Sequence, residues 1–255
     1  MQKISIINPA YNEEKRISKT LEHYAKYFEN LRKEKKLDYE ILIVINNTTD
    51  KTEEIVKSFI KKNKRILYLN LKQGGKGFAV IEGFKDALKR KNDLIGFVDA
   101  DMATLPEEYL KLIKNIEGFD GIIASRYIKG AIIDPKPSLQ RLLAKWAFNF
   151  VVRIFLFLPY KDTQCGAKIF RRKSIMDVLP KISMSQWAFD AELLLELKKN
   201  KLKIKEIPTI CSDKEYSTIN FWKAGPRMVL GIIRLRILNS PFKNFIKIYS
   251  YIQIK

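Results

Sequence analysis

The sequence predicts an α/β fold with a mostly parallel sheet and helices on both faces. Short apolar, β-branched runs alternate with segments whose apolar residues recur every three or four positions, the spacing of an amphipathic helix. The runs contain few polar residues, which is typical of strands that are buried on both sides of a parallel sheet. With 255 residues, 46% of them hydrophobic, the chain is long enough to form this core without disulfide support.

Five apolar runs predict the strands of the first half. They are KISIIN (Lys3–Asn8), EILIVI (Glu40–Ile45), ILYLN (Ile66–Asn70), LIGFVD (Leu94–Asp99) and GIIAS (Gly121–Ser125). Helical patterns lie between them, from about Glu13, after Asp50 and within the glycine-rich QGGKGFAVIEGFKDAL. Polar turns follow the first, second and fourth strands. Because the carboxyl ends of parallel strands meet at one edge of a sheet, these turns predict a ligand site there.

The second half contains two amphipathic basic segments. In Arg141–Tyr160 the polar residues are spaced by four, which predicts one polar stripe on an otherwise apolar helix; they are Arg141, Lys145, Asn149 and Arg153. The tail, 225–255, has a similar composition. Each segment alone fits a membrane interface or packing on the domain, and the two together favour a membrane surface. We predict a domain at 1–222, including an interface helix at 138–160, and basic membrane-associating helices at 223–255.

The net charge of +20 indicates an anionic partner, although a general lysine-rich composition also explains it. We expect no nucleic acid, because the sequence lacks RNP-type aromatics, helix-turn-helix spacing and zinc knuckles. His23, the single histidine, is expected on the surface, and Cys165 and Cys211 are expected as reduced thiols. The sequence contains no signal-peptide pattern and no apolar window long enough to span a bilayer. We therefore expect a peripheral protein at the cytoplasmic face of a membrane.

Two acids, Asp99 and Asp101, follow the fourth strand. Carboxylates at this spacing can hold a hard divalent cation such as Mg²⁺ or Mn²⁺, with phosphate oxygens as further ligands. Such an ion would neutralise a leaving diphosphate. The alternative for Asp101 is an N-cap before the helix at Pro106. GGKG (Gly74–Gly77) also has two interpretations. Either Lys76 and the glycines at a helix start cradle a phosphate, or the segment is a plain turn.

Several motifs resemble the family 2 glycosyltransferases with the GT-A (Rossmann-like) fold. In the first half they are NPAYNEE (Asn8–Glu14), TTDKT, GGKG and VDADMAT. In the second half, SRY (Ser125–Tyr127), DTQCGAKIF (Asp162–Phe170) and WAFDAELL (Trp187–Leu194) resemble the polyprenyl-phosphate members, above all the dolichyl-phosphate β-glucosyltransferases and mannose synthases. The resemblance covers roughly residues 3 to 240.

The resemblance implies a nucleotide-sugar donor, with a UDP-hexose favoured and GDP-mannose as the second option, and a polyprenyl phosphate acceptor. The donor contacts that it implies are Pro9, Tyr11, Glu13, Asn46, Lys76, Asp99 and Ala100. Asp99 and Asp101 would hold Mg²⁺ or Mn²⁺, with Asp101 as the principal ligand, and Arg126 would face a phosphate. Ala103 occupies the position where mannose synthases carry a further metal-binding side chain.

The chain departs from the family at the end of the second strand. Family members usually read Asp-Asp-Gly-Ser where this chain has Ile45, Asn46, Asn47 and Thr48. The second acid normally accepts an N–H from the base. Asn46 can accept through its amide oxygen without charge assistance, and its NH₂ can also donate. The other interpretation of the two asparagines is a tight turn that tolerates left-handed backbone geometry.

The nature of the acceptor determines the mechanism. A lipid monophosphate has a second pKa of about 6, so it is mostly dianionic at neutral pH and can attack the anomeric carbon without a general base. The candidate guides for this phosphate are Arg126, Arg141, Lys168 and Lys214. A sugar hydroxyl would need a general base, for which Asp190 is the best candidate. Asp162 is expected to hold the DTQCG loop, and Trp187 and Phe189 are expected to pack.

The leading hypothesis is an inverting, metal-dependent transferase in which Asp101, Arg126 and Asp190 are the catalytic candidates. It would move a hexose, with glucose from UDP-glucose favoured, to a polyprenyl phosphate at the cytoplasmic membrane face. The nearest alternative is the same fold acting on a glycan or glycolipid hydroxyl. The alternative from a different class is a catalytically degenerate membrane-binding or nucleic-acid-binding protein.

Overall fold

The computed structural model describes residues 1–183, 188–212 and 221–240. The strands are β1 (Lys3–Ala10), β2 (Asp38–Asn46), β3 (Ile66–Leu71), β4 (Leu94–Phe97), β5 (Gly121–Ser125), β6 (Ile132–Ile133), β7 (Lys168–Arg171), β8 (Ile204–Pro208) and β9 (Ile210–Cys211). The helices are α1 (Ile17–Lys33), α2 (Thr52–Lys62), α3 (Lys76–Ala87), α4 (Pro106–Lys114), α5 (Leu139–Leu156), α6 (Arg172–Val178), α7 (Phe189–Lys199) and α8 (Phe221–Leu238).

Within the described residues, seven strands form one sheet in the order β3-β2-β1-β4-β7-β5-β8. Parallel pairing joins β3, β2, β1 and β4, and also joins β5 to β8. Only β7 runs antiparallel, between β4 and β5. The predicted mostly parallel sheet is therefore confirmed, and its carboxyl edge collects the polar turns that follow β1, β2 and β4.

Helices cover both faces of the sheet, as the two-sided apolar strands predict. One face packs against α1, α2 and α4, whose apolar side chains include Phe28, Val56 and Tyr109. The other face packs against α3, α5, α6 and α7, and α8 completes this layer with Ile232 and Leu235. These two layers fix the ends of the strands, and hence the turns at the carboxyl edge.

The predicted polar stripe of α5 is wrong at one position. Asn149 is buried on the inner side of the helix, next to Phe148 and Val152. The outer side carries an apolar stripe, with Trp146 58% and Phe150 61% exposed. This apolar stripe consists of Leu139, Leu143, Trp146, Phe150, Ile154 and Phe157. The spacing of three and four residues places the first five on one face of the helix, and Phe157 follows the helix end with a left-handed φ of 53°.

The predicted C-terminal boundary at 222/223 falls just inside α8, which begins at Phe221. Ile232 and Leu235 of this helix are buried in the same cluster as the inner residues of α5. On its outer side Leu230, Arg234 and Arg236 are exposed. The helix α8 therefore packs on the domain with one side and exposes basic and apolar residues on the other. Residues 241–255 of the predicted segment lie outside the described part of the chain.

No helix in the described ranges combines the length and the apolar character needed to cross a membrane.

Candidate active site

The turns at the carboxyl edge are tied together by buried hydrogen bonds. The Asn8 side-chain amide at the end of β1 donates to the Val98 carbonyl, 3.0 Å away, immediately before Asp99. From the helix above, the Thr20 hydroxyl donates to the Ala100 carbonyl at 2.7 Å. The backbone of the Asp-Ala-Asp turn is therefore fixed from β1 and from α1, so its two carboxylates keep a defined direction.

The two acids of this turn have different surroundings. Asp99 is partly exposed, and its Oδ1 lies 2.6 Å from the ammonium group of Lys76 at the start of α3. Asp101 is more enclosed, and its Oδ1 accepts the backbone N–H of Ala103 at 2.9 Å. The sequence left open whether Lys76 approaches a phosphate or belongs to a plain turn. In the structure its charge faces the acid pair.

The acids share a surplus of negative charge. Burial, followed by the charge of Asp99, raises the pKa of Asp101 above its ordinary value. Burial also raises the pKa of Glu13, and the salt bridge to Arg16 at 2.7 Å opposes this increase. The negative charges of Asp101 and Asp99 raise the pKa of Glu13 further. Carboxylates that raise one another's pKa repel each other when ionised, and a bound cation would reduce that repulsion.

Asp99 and Asp101 fit a Mg²⁺ or Mn²⁺ site that a substrate completes. Within the ranges that the structure describes, no group of three or more His, Cys, Asp or Glu side chains could hold a metal by itself. Mg²⁺ is commonly bound by one or two carboxylates, with waters and substrate phosphates as the remaining ligands. Two protein carboxylates at an open edge of the sheet match that donor set.

The DTQCG loop, Asp162–Gly166, lies directly against Asp99. A Cβ atom built on Gly166 would lie 1.9 Å from Asp99 Oδ2, so a side chain at this position would force Asp99 to move. The rest of the loop is held firmly: Asn149 Oδ1 of α5 accepts hydrogen bonds from the Thr163 N–H and hydroxyl at 2.9 and 3.0 Å. Lys168 Nζ donates to the Cys165 carbonyl at 2.7 Å. The loop thus forms a rigid wall behind the acid pair.

The Arg126 guanidinium is already paired with a carboxylate, so it is not free to guide a phosphate as predicted. Its Nε and Nη2 donate to the two carboxylate oxygens of the fully buried Asp162 at 2.7 and 2.9 Å. The prediction that Asp162 holds its loop is confirmed, because Oδ1 also accepts the Gln164 N–H. Burial is outweighed by the Arg126 guanidinium, which holds the pKa of Asp162 below its ordinary value. Arg126 is therefore a structural partner of the loop through these two nitrogens.

Lys168 and Asp190 are also committed to each other. Lys168 is fully buried, and its Nζ forms an ion pair with Asp190 Oδ1. The prediction that Lys168 guides an acceptor phosphate is wrong, since no solvent or substrate reaches it. This ion pair argues against Asp190 as the general base for a hydroxyl acceptor.

Asn46 has a structural role in place of the predicted base contact. It is 3% exposed, its Nδ2 donates to the Ala10 carbonyl at 2.9 Å, and its Oδ1 accepts the Gly75 N–H at 3.1 Å. It thereby joins the ends of β1 and β2 to the turn before Lys76. The turn interpretation is confirmed at the next residue, Asn47, whose φ of 51° is left-handed.

Restoring the family acid at this position is expected to destabilise the protein. In Asn46→Asp a buried carboxylate would face the Ala10 carbonyl, which should lower the free energy of unfolding by about 3 kcal/mol at pH 7. The pKa of this new acid would be raised in the folded state. The loss is therefore complete above the folded pKa and disappears below the unfolded value of about 3.9, where the protonated acid donates to the carbonyl.

Urea denaturation of Asn46→Asp and wild type at pH 7 and pH 4 measures this difference. The control is Asn47→Asp, an exposed position whose left-handed backbone aspartate tolerates. Equal stability of Asn46→Asp and wild type at pH 7 would contradict the assigned hydrogen bonds.

The remaining residues that were predicted to contact a ligand differ in their exposure to solvent. Pro9 and Ala100 are buried, whereas Tyr11 is 54% exposed at the edge and available to a ligand. Arg141 is half-buried in the first turn of α5, where its N–H donates to the Ser138 hydroxyl. Lys214 and Trp187 lie outside the described residues.

The predictions for His23 and the cysteines agree with the structure. His23 is exposed on α1, and Cys165 and Cys211 are buried without a disulfide between them.

Three site residues were not predicted from the sequence: Arg16, Asn149 and Gly166. The salt bridge from Arg16 to Glu13 spans three residues, so an acid–base pair in NEEKR was a detectable signal. A lone asparagine within an apolar helix is a signal for Asn149. Gly166 has no local signal, because its neighbour Asp99 is distant in sequence.

Comparisons with known proteins identify the family and the fold of this chain. Residues 5–179 match the model of Glycosyl transferase family 2. A dolichyl-phosphate beta-glucosyltransferase of Dictyostelium discoideum is 31% identical over 91% of this chain and 73% of its own length. The Homo sapiens protein of that name is 28% identical over 95% of this chain and 78% of its length.

Solved structures share the fold. Glucosyl-3-phosphoglycerate synthase of Mycobacterium tuberculosis, in complex with Mn²⁺, UDP and glucosyl-3-phosphoglycerate, superimposes with a TM-score of 0.67 at 16% identity, covering 93% of this chain and 79% of that one. Mannosyl-3-phosphoglycerate synthase of Rubrobacter xylanophilus gives a TM-score of 0.64 at 16% identity, covering 93% and 74%. The fold, the matched segment and the relatives agree that this chain belongs to glycosyl transferase family 2.

Proposed function

We propose that this protein transfers glucose from UDP-glucose to a dolichyl-type polyprenyl phosphate, with inversion at the anomeric carbon. The observation that carries the proposal is the pair Asp99 and Asp101 at the open carboxyl edge, with the DTQCG loop packed directly behind it. The names of the relatives support the sugar and the lipid. The complexes of the structural neighbours support a divalent ion and a UDP-sugar.

The donor would bind along the carboxyl edge. Asp99 and Asp101 would hold Mg²⁺ or Mn²⁺, which when bound would offset the charge of the donor diphosphate. Tyr11 is exposed beside this edge and offers an aromatic surface to the nucleoside. Lys76 adds a positive charge close to the diphosphate position.

The acceptor is inferred from the state of the candidate base. Asp190 is bound by the buried Lys168, and the single histidine is exposed on α1. A hydroxyl acceptor would need a free base, whereas a phosphate dianion attacks without one. One phosphate oxygen would form a bond to the anomeric carbon as the bond from that carbon to the UDP oxygen breaks, which inverts the centre.

The apolar stripe of α5 supports a position at a membrane surface, where a polyprenyl phosphate resides. Basic residues flank the stripe: Arg141 and Arg153 on α5, and Arg234 and Arg236 on α8. An exposed aromatic and aliphatic face beside basic side chains is the pattern of a helix that lies in the interface of an anionic bilayer. We place the protein as a peripheral protein on the cytoplasmic face.

Transfer of radiolabel is the direct test of the function. Protein, Mn²⁺ and dolichyl phosphate are incubated with labelled UDP-glucose or GDP-mannose. Label from UDP-glucose in the organic phase, released by mild acid, is the expected result. Label found only in an acid-stable oligosaccharide would favour the hydroxyl-acceptor alternative.

Vesicle binding tests the surface. Replacing Trp146 and Phe150 together by glutamate should weaken binding to phosphatidylglycerol vesicles about a hundredfold, because two large apolar side chains no longer enter the interface. Met176→Glu, at an exposed apolar residue on α6, is the control and should bind normally. Sedimentation with vesicles measures both, and unchanged binding of the double variant would place another surface at the membrane.

A further inference from the structure

Lys76 forms a salt bridge with Asp99, the carboxylate that would also bind the divalent ion. Its Nζ lies 2.6 Å from Asp99 Oδ1, and its charge also faces the ring of Phe97 at 5.9 Å. The lysine is the first residue of α3, and the turn before it is fixed by the hydrogen bond from Gly75 to Asn46. The contact is therefore built into the ends of two elements that the core holds in place.

Asp99 also packs against the DTQCG loop. Its carboxylate lies against the backbone of Gly166, where an added Cβ would be 1.9 Å from Oδ2. The loop that carries Gly166 is held in turn by Asn149 and Lys168. A cation that binds Asp99 must therefore meet the ammonium group on the open side of the carboxylate.

The charges around the site show why a lysine is accommodated there. Four carboxylates and three basic groups meet at this edge, which leaves one negative charge; they are Glu13, Asp99, Asp101 and Asp190 with Arg16, Lys76 and Lys168. The Lys76 ammonium lies 2.6 Å from Asp99 Oδ1, within this group of carboxylates. A divalent ion added beside this fixed ammonium would be repelled by it.

We propose that the Lys76 ammonium is an internal competitor for the metal site. In the donor-free enzyme it neutralises Asp99, and it must leave Asp99 before a divalent ion binds there. Once displaced, its charge is available to an anionic phosphate of the donor. Metal and donor would then bind cooperatively. The metal displaces Lys76 from Asp99, and the donor phosphate stabilises the displaced ammonium group. This inference rests on the metal-dependent donor site of the proposed function.

Mn²⁺ titration without nucleotide tests the proposal. In Lys76→Met the competitor is gone, so the affinity for Mn²⁺ should rise about tenfold, measured by the electron paramagnetic resonance signal of free Mn²⁺. Affinity for UDP in saturating Mn²⁺ should fall about tenfold, because the displaced charge is missing. A contact with the diphosphate alone would produce only the second change.

Lys85→Met is the matched control. Lys85 lies on the same helix and pairs with Glu82 at 2.7 Å on the exposed side, so its loss removes the same net charge at a distance from Asp99. Equal Mn²⁺ affinity in Lys76→Met and Lys85→Met would overturn the proposal.

The melting temperature provides a second measurement. Lys76→Met should be less stable than wild type without metal, since Asp99 loses its partner, and Mn²⁺ should raise its melting temperature by more than it raises that of wild type. If the methionine variant does not fold, Lys76→Gln is measured in the same way. An equal Mn²⁺ shift in variant and wild type would count against the proposal.

The two proposals fail in different ways. A wild-type protein that transfers no label to dolichyl phosphate, with tightened Mn²⁺ binding in Lys76→Met, would contradict the proposed function and support the competition. Label transfer with unchanged Mn²⁺ binding would do the reverse.

Discussion

Asp101→Asn is expected to lower the rate of glucosyl transfer about a thousandfold, which corresponds to about 4 kcal/mol of lost transition-state stabilisation. Asparagine has the size of aspartate and can still accept the Ala103 N–H, so the turn should keep its shape. What disappears is the negative charge that would bind the divalent ion. The measurement is initial rate against Mn²⁺ concentration, together with Mn²⁺ affinity.

The same substitution should raise stability in the absence of metal. The pKa of Asp101 is raised in the folded protein by burial and by Asp99, so the ionised acid costs stability above its unfolded pKa and costs nothing well below it. Asp101→Asn should therefore melt at a higher temperature than wild type at pH 7, and the difference should vanish near pH 3.

Asp177→Asn, which removes the same charge from an exposed position on α6, is the control and should keep wild-type activity. Vesicle binding should be unchanged in both variants. Full turnover by Asp101→Asn would remove the Asp101 carboxylate from the mechanism.

Gly166→Ala is expected to reduce turnover about a hundredfold. The new methyl group would lie 1.9 Å from Asp99 Oδ2 and 2.3 Å from its Cγ, distances that no side chains adopt. The loop cannot retreat, because Asp162 is fixed by Arg126 and Thr163 by Asn149. Asp99 must therefore turn out of position, and a displacement of about 1 Å in a catalytic group costs about this factor.

Gly225→Ala is the matched control for this variant. Its added Cβ on α8 would meet nothing within 4 Å, so activity should be retained. Turnover and Mn²⁺ affinity of the two glycine variants are compared at equal folded fraction, measured by circular dichroism. Normal Mn²⁺ affinity in Gly166→Ala would contradict the contact between the loop and Asp99.

The first five strands were predictable because their signals are local. The run Gly121–Ser125 predicts β5 with the observed bounds, and β1 to β4 were detected by their continuous apolar character. The strand β8, IKEIP, has no continuous apolar run and was not predicted. LIGFVD was predicted two residues too long, because Val98 and Asp99 have already left the strand for the ligand turn. The acid pair was predictable for the same reason, since both residues follow a clear strand.

The partners of the charged residues were not predictable from local sequence. Arg126 and Asp162 are 36 positions apart, and Lys168 and Asp190 are 22 apart, so their pairing depends on tertiary structure. An arginine or aspartate in a motif indicates a charged site, but the motif does not show whether a ligand or the fold uses that charge. Asn46 was misassigned for the same reason, because its partners Ala10 and Gly75 lie on other segments.

Asn149 links α5 to the proposed reaction centre. The outer side of this helix carries the apolar stripe, while on the inner side Asn149 holds Thr163 of the loop behind Asp99. Excising the helix to obtain a better-behaved preparation would therefore remove a support of catalysis, and such a truncated enzyme should fail even with a short acceptor that dissolves in water. Exchanging only the outward side chains for polar ones would improve solubility and leave that support in place.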